Sequence, residues 1–402
     1  MAPGFFPLDE ELALLPGTLS PWLAEALVRL STHIPSFAKA SRELAWFTGV
    51  TVHPDTARRR TEAAGAVLVA HETAAAERIV HEHPAPPCTP DTLVFSVDGA
   101  MVPLRHGQWT EVRTLAVGEV PPPQATPDGP VIQTTNLSYF SRRTDSTNFS
   151  TLATRELQRR GMEGARRVGA VVDGAVWCQS FIDLHYPEAV RILDFAHAAA
   201  YVQTLGVGTG QDAATIAHLR HDLKHQGAAA VLPTVREWVR TSASDDETVQ
   251  TALQYLEARV AQMAYPVFQA AGWPIGSGMV ESANKVVVED RLKGAGMHWA
   301  EANVNPLLAL RNAVCNDRWE ESWTIIEREQ RRTMRDKRQQ RRTERQTARV
   351  ANAPPPAAES AVPEPPAPVP SPAPAPTPTE KPPHPWKRAW SKRRQRELAG
   401  AT

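Results

Sequence analysis

The chain has 402 residues, 42% of them hydrophobic, and its 44 Lys or Arg are balanced by 44 Asp or Glu. That length and apolar share suffice for at least one sizeable buried core, and with zero net charge any nucleic-acid partner has to be met by local charge. Cys88, Cys178 and Cys315 form neither a disulfide framework nor a Cys-x-x-Cys zinc site, Asp9-Glu10-Glu11 replaces a basic leader, and no apolar run approaches bilayer length, so the expected setting is a reducing cytoplasm without a membrane partner.

Pro21 to Leu30 and Ser36 to Phe47 read as helices, Thr48-Gly49-Val50 as a turn, and Pro54 to Ala64 as a third helix opening with Arg58, Arg59 and Arg60. Two helices joined by a short Gly-containing turn outline a helix-turn-helix at about 36–65, whose second helix enters the major groove with arginines on guanine edges or phosphates. A plain helical hairpin with a solvated basic face has the same pattern. His81, Glu82 and His83 stand beside Pro84, Pro86 and Pro87, which mark a linker rather than a metal site.

Thr92 to Val97 is a β-prone run stopping at Asp98-Gly99, and Trp109 to Val120 and Val131 to Ser141 add two strands. Ser146 to Gly161 is a helix, Arg167 to Val172 a strand stopping at Asp173-Gly174, Val176 to Leu184 a short helix, and Ala189 to Leu193 a fifth strand ending at Asp194. This is a mixed α/β order. Helical patterns over 195–205, 211–227, 229–239 and 245–271 follow without a strand.

The turn Pro274 to Gly278 then precedes a helix with Glu281 near its start and Lys285, Arg291 and Lys293 further on. A helix-start acid commonly just complements the helix dipole. Here it follows two aspartates at predicted strand ends, where functional groups of α/β domains collect. The order Asp98, Asp173, Glu281 suits hard divalent cations beside a phosphodiester. Arg291 and Lys293 would lie along the groove wall. Trp299, beyond Gly294-Ala295-Gly296, would either stack on a splayed base or anchor the core.

The segments DGAMVPLRHGQWTEVRTLAVGEV, VVDGAVWCQSFIDLHYPEAVRILDFAH and PIGSGMVESANKVVVEDRLKGAGMHW resemble the three acidic blocks of bacterial insertion-sequence transposases, closest to the Kra-type elements related to the Mutator-like superfamily. The resemblance covers about Ser36 to Trp323. It implies a ribonuclease-H-like catalytic domain at 90–326 with a helical insertion at about 195–272, behind a helical N-terminal region at 1–85. It also implies two Mg2+ or Mn2+ ions on Asp98, Asp173 and Glu281, and double-stranded DNA as partner, at element ends and target, bound by a homo-oligomer. Mutator-like relatives often carry Cys-x-x-His after the fifth strand; this chain has Asp194-Phe195-Ala196-His197, matching the histidine only. His197 is then an accessory site residue or a structural histidine at a strand end, and Asp194 is the rival of Asp173 as second ligand.

Residues 327–349 hold ten Arg or Lys against four Asp or Glu, reading as a basic helical extension, before a Pro/Ala-rich, disordered tail at 351–402 with a basic, aromatic end at 386–394. Two other classes fit less of the chain: a catalytically silent domesticated transposase acting as a DNA-binding protein, and a hydrolase with paired carboxylates on an unrelated α/β fold.

Overall fold

Three helices open the region described by the computed structural model, which covers residues 19–126, 129–242 and 246–351. α1 (Pro21–His33) begins where Ser20 accepts the Leu23 amide. α2 (Phe37–Thr48) ends at Gly49, whose φ of 71° is the left-handed conformation glycine adopts at low cost. α3 (Pro54–Glu82) runs for 29 residues and does not stop at Ala64. The glycine that suggested a stop, Gly65, is a packing position. A Cβ there would overlap the Pro306 carbonyl of a later helix, so the absent side chain permits close approach.

The sheet has five strands in the order β5-β2-β1-β6-β7. β1 (Thr92–Pro103) pairs antiparallel with β2 (Trp109–Glu119) and parallel with β6 (Arg167–Val172); β2 pairs antiparallel with β5 (Thr135–Arg142), and β6 pairs parallel with β7 (Val190–Leu193). A hairpin, β3 (Gln124–Thr126) and β4 (Gly129–Val131), precedes β5, so the single strand expected over 131–141 is two separate elements. Alternation along the strands splits two cores. Leu93, Phe95 and Val97 face α4 (Ser146–Arg159) and α5 (Val176–His185) through Phe149 and Phe181. On the other face Val94, Val171 and Ile192 meet α6 (Phe195–Gly208), α7 (Ala213–Gln226), α8 (Ala228–Ser242), α9 (Glu247–Glu257) and α10 (Tyr265–Ala270). The helix expected over 245–271 is therefore broken: a 3₁₀ turn, Val260–Met263, separates α9 from α10, and Pro266 in the first turn of α10 has no amide to continue a helix.

α11 (Gly278–Ala283) continues as a π-helical stretch, Asn284–Glu289, and a last turn, Asp290–Leu292. It packs on the same sheet face, Val280 and Ala283 against Ala116, and Val287, Val288 and Leu292 against Ala100, Val102 and Val112. α12 (Glu301–Cys315) and α13 (Trp319–Ala351) complete the chain as described. The N-terminal helices share a core with these two, through Leu27, Leu44 and Leu68 against Leu310, Trp319 and Trp323. A buried pair, Arg142 of β5 and Glu72 of α3 at 2.5 Å, joins the same helices to the sheet. Residues Met1–Arg341 form one unit; a second begins at Arg342, of which 342–351 are described and helical. The expected tail with its basic end, 352–402, lies outside the described residues. Among the described residues no helix is long and apolar enough to cross a membrane.

Candidate active site: a row of acids at the strand ends

Asp98 does not end its strand, because pairing with β2 carries β1 on to Pro103. It marks instead the level at which β6 stops. Continuing the registers Phe95↔Ala170 and Val172↔Leu193 up the strands sets Asp98, Asp173 and Asp194 abreast on three neighbours, and the Asp194 amide still bonds the Val172 carbonyl at 2.8 Å. Along β1, Val94 enters the core of the helices α6–α10, while Ala100 and Val102 enter the core under α11 and α12. By alternation the Asp98 carboxylate rises on that same face, at the seam between the two.

The three aspartates differ in what occupies their oxygens. Asp194 is 1% exposed and fully engaged: Oδ2 accepts from the His197 amide at 2.8 Å and from His197 Nδ1 at 2.9 Å, and Oδ1 accepts from the Ser277 amide at 2.7 Å. Burial works to raise its pKa, but the bonds from His197 and Ser277 outweigh it and hold the carboxyl below its usual value. Asp173 is half-buried; its Oδ1 takes the Ala175 amide at 2.9 Å and lies 3.3 Å from Cys178 Sγ. Asp98 Oδ1 takes the Gly99 amide at 2.7 Å, and Oδ2 takes Asn284 Nδ2 at 2.8 Å. Asp194 thus acts as a helix cap and a clamp, leaving Asp173 the more available of the two rivals.

That clamp places Glu281. The Phe195 amide bonds the Ile275 carbonyl at 2.9 Å beside the Asp194–Ser277 bond, docking the Pro274–Gly278 turn on the end of β7. α11 starts there, with exposed Glu281 on its first turn, 3.4 Å from Ser277 Oγ. One turn on, Asn284 pins the helix to Asp98, a contact sequence reading missed although an amide at i+3 from the acid was its signal.

Electrostatics tie the group together. Burial, and then the charges of Asp173 and Glu281, push the Asp98 carboxyl above its usual range, against the pull of the Gly99 amide and His197. The Asp194 hydrogen bond, aided by the charges of Asp173 and Asp98, holds the His197 imidazole above its ordinary value. His197 is 47% exposed and is fixed through Nδ1, which leaves Nε2 as its outward-facing atom. Three hard oxygen donors whose mutual repulsion is only partly offset by a histidine fit Mg2+ or Mn2+ in donor chemistry. Among the described residues no three His, Cys, Asp or Glu side chains stand close enough to enclose an ion as placed, so the fit is one of chemistry and location.

The expected DNA contacts fare unevenly. Arg291 is fully buried, its Nε donating to the Ser31 carbonyl at 2.9 Å and its guanidinium lying over Phe37 and Trp299, so it cannot line a groove wall. Burial and the nearby charge of Arg311 lower its pKa to about 10. Trp299 is 9% exposed and donates Nε1 to the Leu292 carbonyl at 2.9 Å, which makes it a core anchor and not a stacking platform. Lys293 is exposed but paired with Glu289 at 2.8 Å. Arg58 is held by Asp55 at 2.6 Å and Glu62 at 2.8 Å, Arg59 is 65% exposed and paired with Asp55 at 2.9 Å, and Arg60 lines a groove of about 550 Å³ with Arg59, Val28 and Trp323. The chain matches no known protein-family model and no curated protein.

Proposed function

We propose that this chain is a DDE-type transposase that binds the ends of an insertion sequence and catalyses metal-dependent DNA strand cleavage and strand transfer. The observation that carries this reading is the setting of Asp98 and Asp173 abreast on adjacent parallel strands, with Glu281 delivered beside them by a helix clamped to the next strand. The sheet order β5-β2-β1-β6-β7, antiparallel then parallel, with helices between β7 and Glu281, supports a ribonuclease-H-like fold with a helical insertion.

Asp98, Asp173 and Glu281 would hold two divalent ions, Mg2+ or Mn2+, which supply activation of a water or 3′-hydroxyl and stabilisation of the leaving oxygen. Asp194 keeps His197 oriented and its proton held, and the imidazole presents an uncommitted Nε2 to the acid row. Asn284 fixes one oxygen of Asp98, leaving fewer directions for the other acids to satisfy. α1 to α3 would hold double-stranded DNA, with exposed Arg59 the foremost phosphate contact, in a homo-oligomer on the element ends.

The test is cleavage of DNA carrying candidate ends, with Mg2+, Mn2+ or chelator. Asp98→Asn, Asp173→Asn and Glu281→Gln are each expected to abolish cleavage and leave end binding within about twofold. Metal-independent cutting, or full activity in any of the three, overturns the proposal. End binding by a parent that never cuts leaves a silent DNA-binding protein.

A further inference from the structure

We infer that Tyr255 and Arg259, in the helical stretch between Asp194 and Glu281, are positioning residues that set the direction of the Asp173 carboxylate. The inference rests on the metal-holding role proposed for that acid. Where β6 ends, Gly174 takes a φ of 80°, and the chain turns away from the sheet. The two carbonyls exposed by that turn are both taken by side chains from the insertion. Tyr255 Oη donates to the Asp173 carbonyl, and Arg259 donates to the Gly174 carbonyl from Nη2 at 2.7 Å and Nε at 3.2 Å.

The pair is itself held in place. The Arg259 guanidinium lies 3.8 Å over the Tyr255 ring, and Arg259 Nη1 returns to the Tyr255 carbonyl at 3.0 Å. Tyr201 of α6 stacks on the same ring with centroids 3.9 Å apart and planes 15° from parallel. Two groups that close to one ring must occupy opposite faces, so Tyr255 is gripped between them. A Cβ on Gly174 would come within 2.5 Å of Tyr255 Oη and 2.7 Å of Arg259 Nε, so the brace fits a bare backbone.

The consequence for Asp173 follows from its other bonds. Its Oδ1 is spent on the Ala175 amide and faces Cys178. With the main chain braced through both carbonyls, Oδ2 is the atom left to point at the acid row. Arg259 has no carboxylate partner among the described residues, so it also brings an unneutralised positive charge to the turn that carries Asp173. Residues that orient a metal ligand in this way typically change metal affinity 10- to 100-fold when altered.

The experiment is a titration of the full-length protein with Mn2+, free ion followed by electron paramagnetic resonance, in the parent, Tyr255→Phe, Arg259→Lys and Asp173→Asn. Tyr255→Phe keeps the stack and removes one donor; Arg259→Lys keeps the charge and removes the fork. Each is expected to weaken Mn2+ binding about tenfold and to raise the Mn2+ needed for half-maximal cleavage by the same factor, with end binding and far-ultraviolet circular dichroism unchanged. Placed on Asp173→Asn, either should have no further effect on Mn2+ binding. Parental Mn2+ affinity in both variants, or an equal loss on the Asp173→Asn background, overturns the inference. A parent that binds Mn2+ but does not cut DNA overturns the transposase reading alone, and a parent that binds no Mn2+ overturns both.

Discussion

Asp98→Asn is expected to make the metal-free protein more stable. Neighbouring strands lie about 4.8 Å apart, so carboxylates abreast on β1 and β6 are roughly 5 Å apart. Two unit charges at that distance repel by about 3 kcal/mol at an effective dielectric of 20 and about 0.8 kcal/mol in water. Asp98 is half-buried, so the lower part of that range applies, about 1–2 kcal/mol. The substitution loses little in return, because the Asn284 Oδ1 is buried without a partner and can accept from the new amide once Asn284 turns over. For a protein of this size the gain is roughly 2–6 °C in melting temperature. The sign with pH is definite. Asp98 has a raised pKa in the folded state, so its contribution is favourable below the ordinary carboxylate range and is lost as pH rises through the folded value. The advantage of Asp98→Asn should therefore grow from pH 4 to pH 7. Thermal unfolding in chelator at both pH values measures it. A variant melting at or below the parent at pH 7 would refute the electrostatic clustering of these acids.

Asp194→Ala removes a helix cap and the bond to the Ser277 amide, and is expected to cost about 2–4 kcal/mol. Because His197 is raised and Asp194 depressed, the pair stabilises fully above the ordinary aspartate value and below the ordinary histidine value, so the loss should peak near pH 4–6.5; equal losses at pH 5 and pH 8 would contradict this. Trp299→Ala is expected to lose about 3–5 kcal/mol of stability while DNA binding per folded molecule is unchanged; the reverse outcome, normal melting with weaker binding, would restore the stacking role.

The strands bearing Asp98 and Asp173, the helices before Glu281 and the start of α11 could all be read from local patterns, since alternation, Asp-Gly stops and a Gly-rich turn are short-range signals. The choice between Asp173 and Asp194 could not, because it depends on strand pairing and on Ser277, far away in sequence. Arg291 and Trp299 were misplaced for a specific reason. Their orientation was counted along a regular helix from Glu281, but the π-helical stretch at Asn284–Glu289 widens the turn and rotates everything after it, taking Arg291 into the interior. The end of α3 was misjudged at Gly65, where a residue that normally interrupts helices serves contact with Pro306. Tyr255 and Arg259 leave no local trace, because their partners are main-chain carbonyls.

α3 is fastened along much of its length, by Gly65 against α12 and by Glu72 against β5. At 1.5 Å per residue its 29 residues span about 43 Å, the length of about 13 base pairs of duplex. Under the proposed function the helices that would hold DNA and the acids that would cut it belong to one rigid piece, with no hinge to take up slack. The interval between the bases read and the phosphate cut then becomes a constant written into the protein. Five extra base pairs between them, half a helical turn, would carry the target phosphate to the far side of the duplex, and an element could tolerate changes in the sequence of that interval far better than changes in its length.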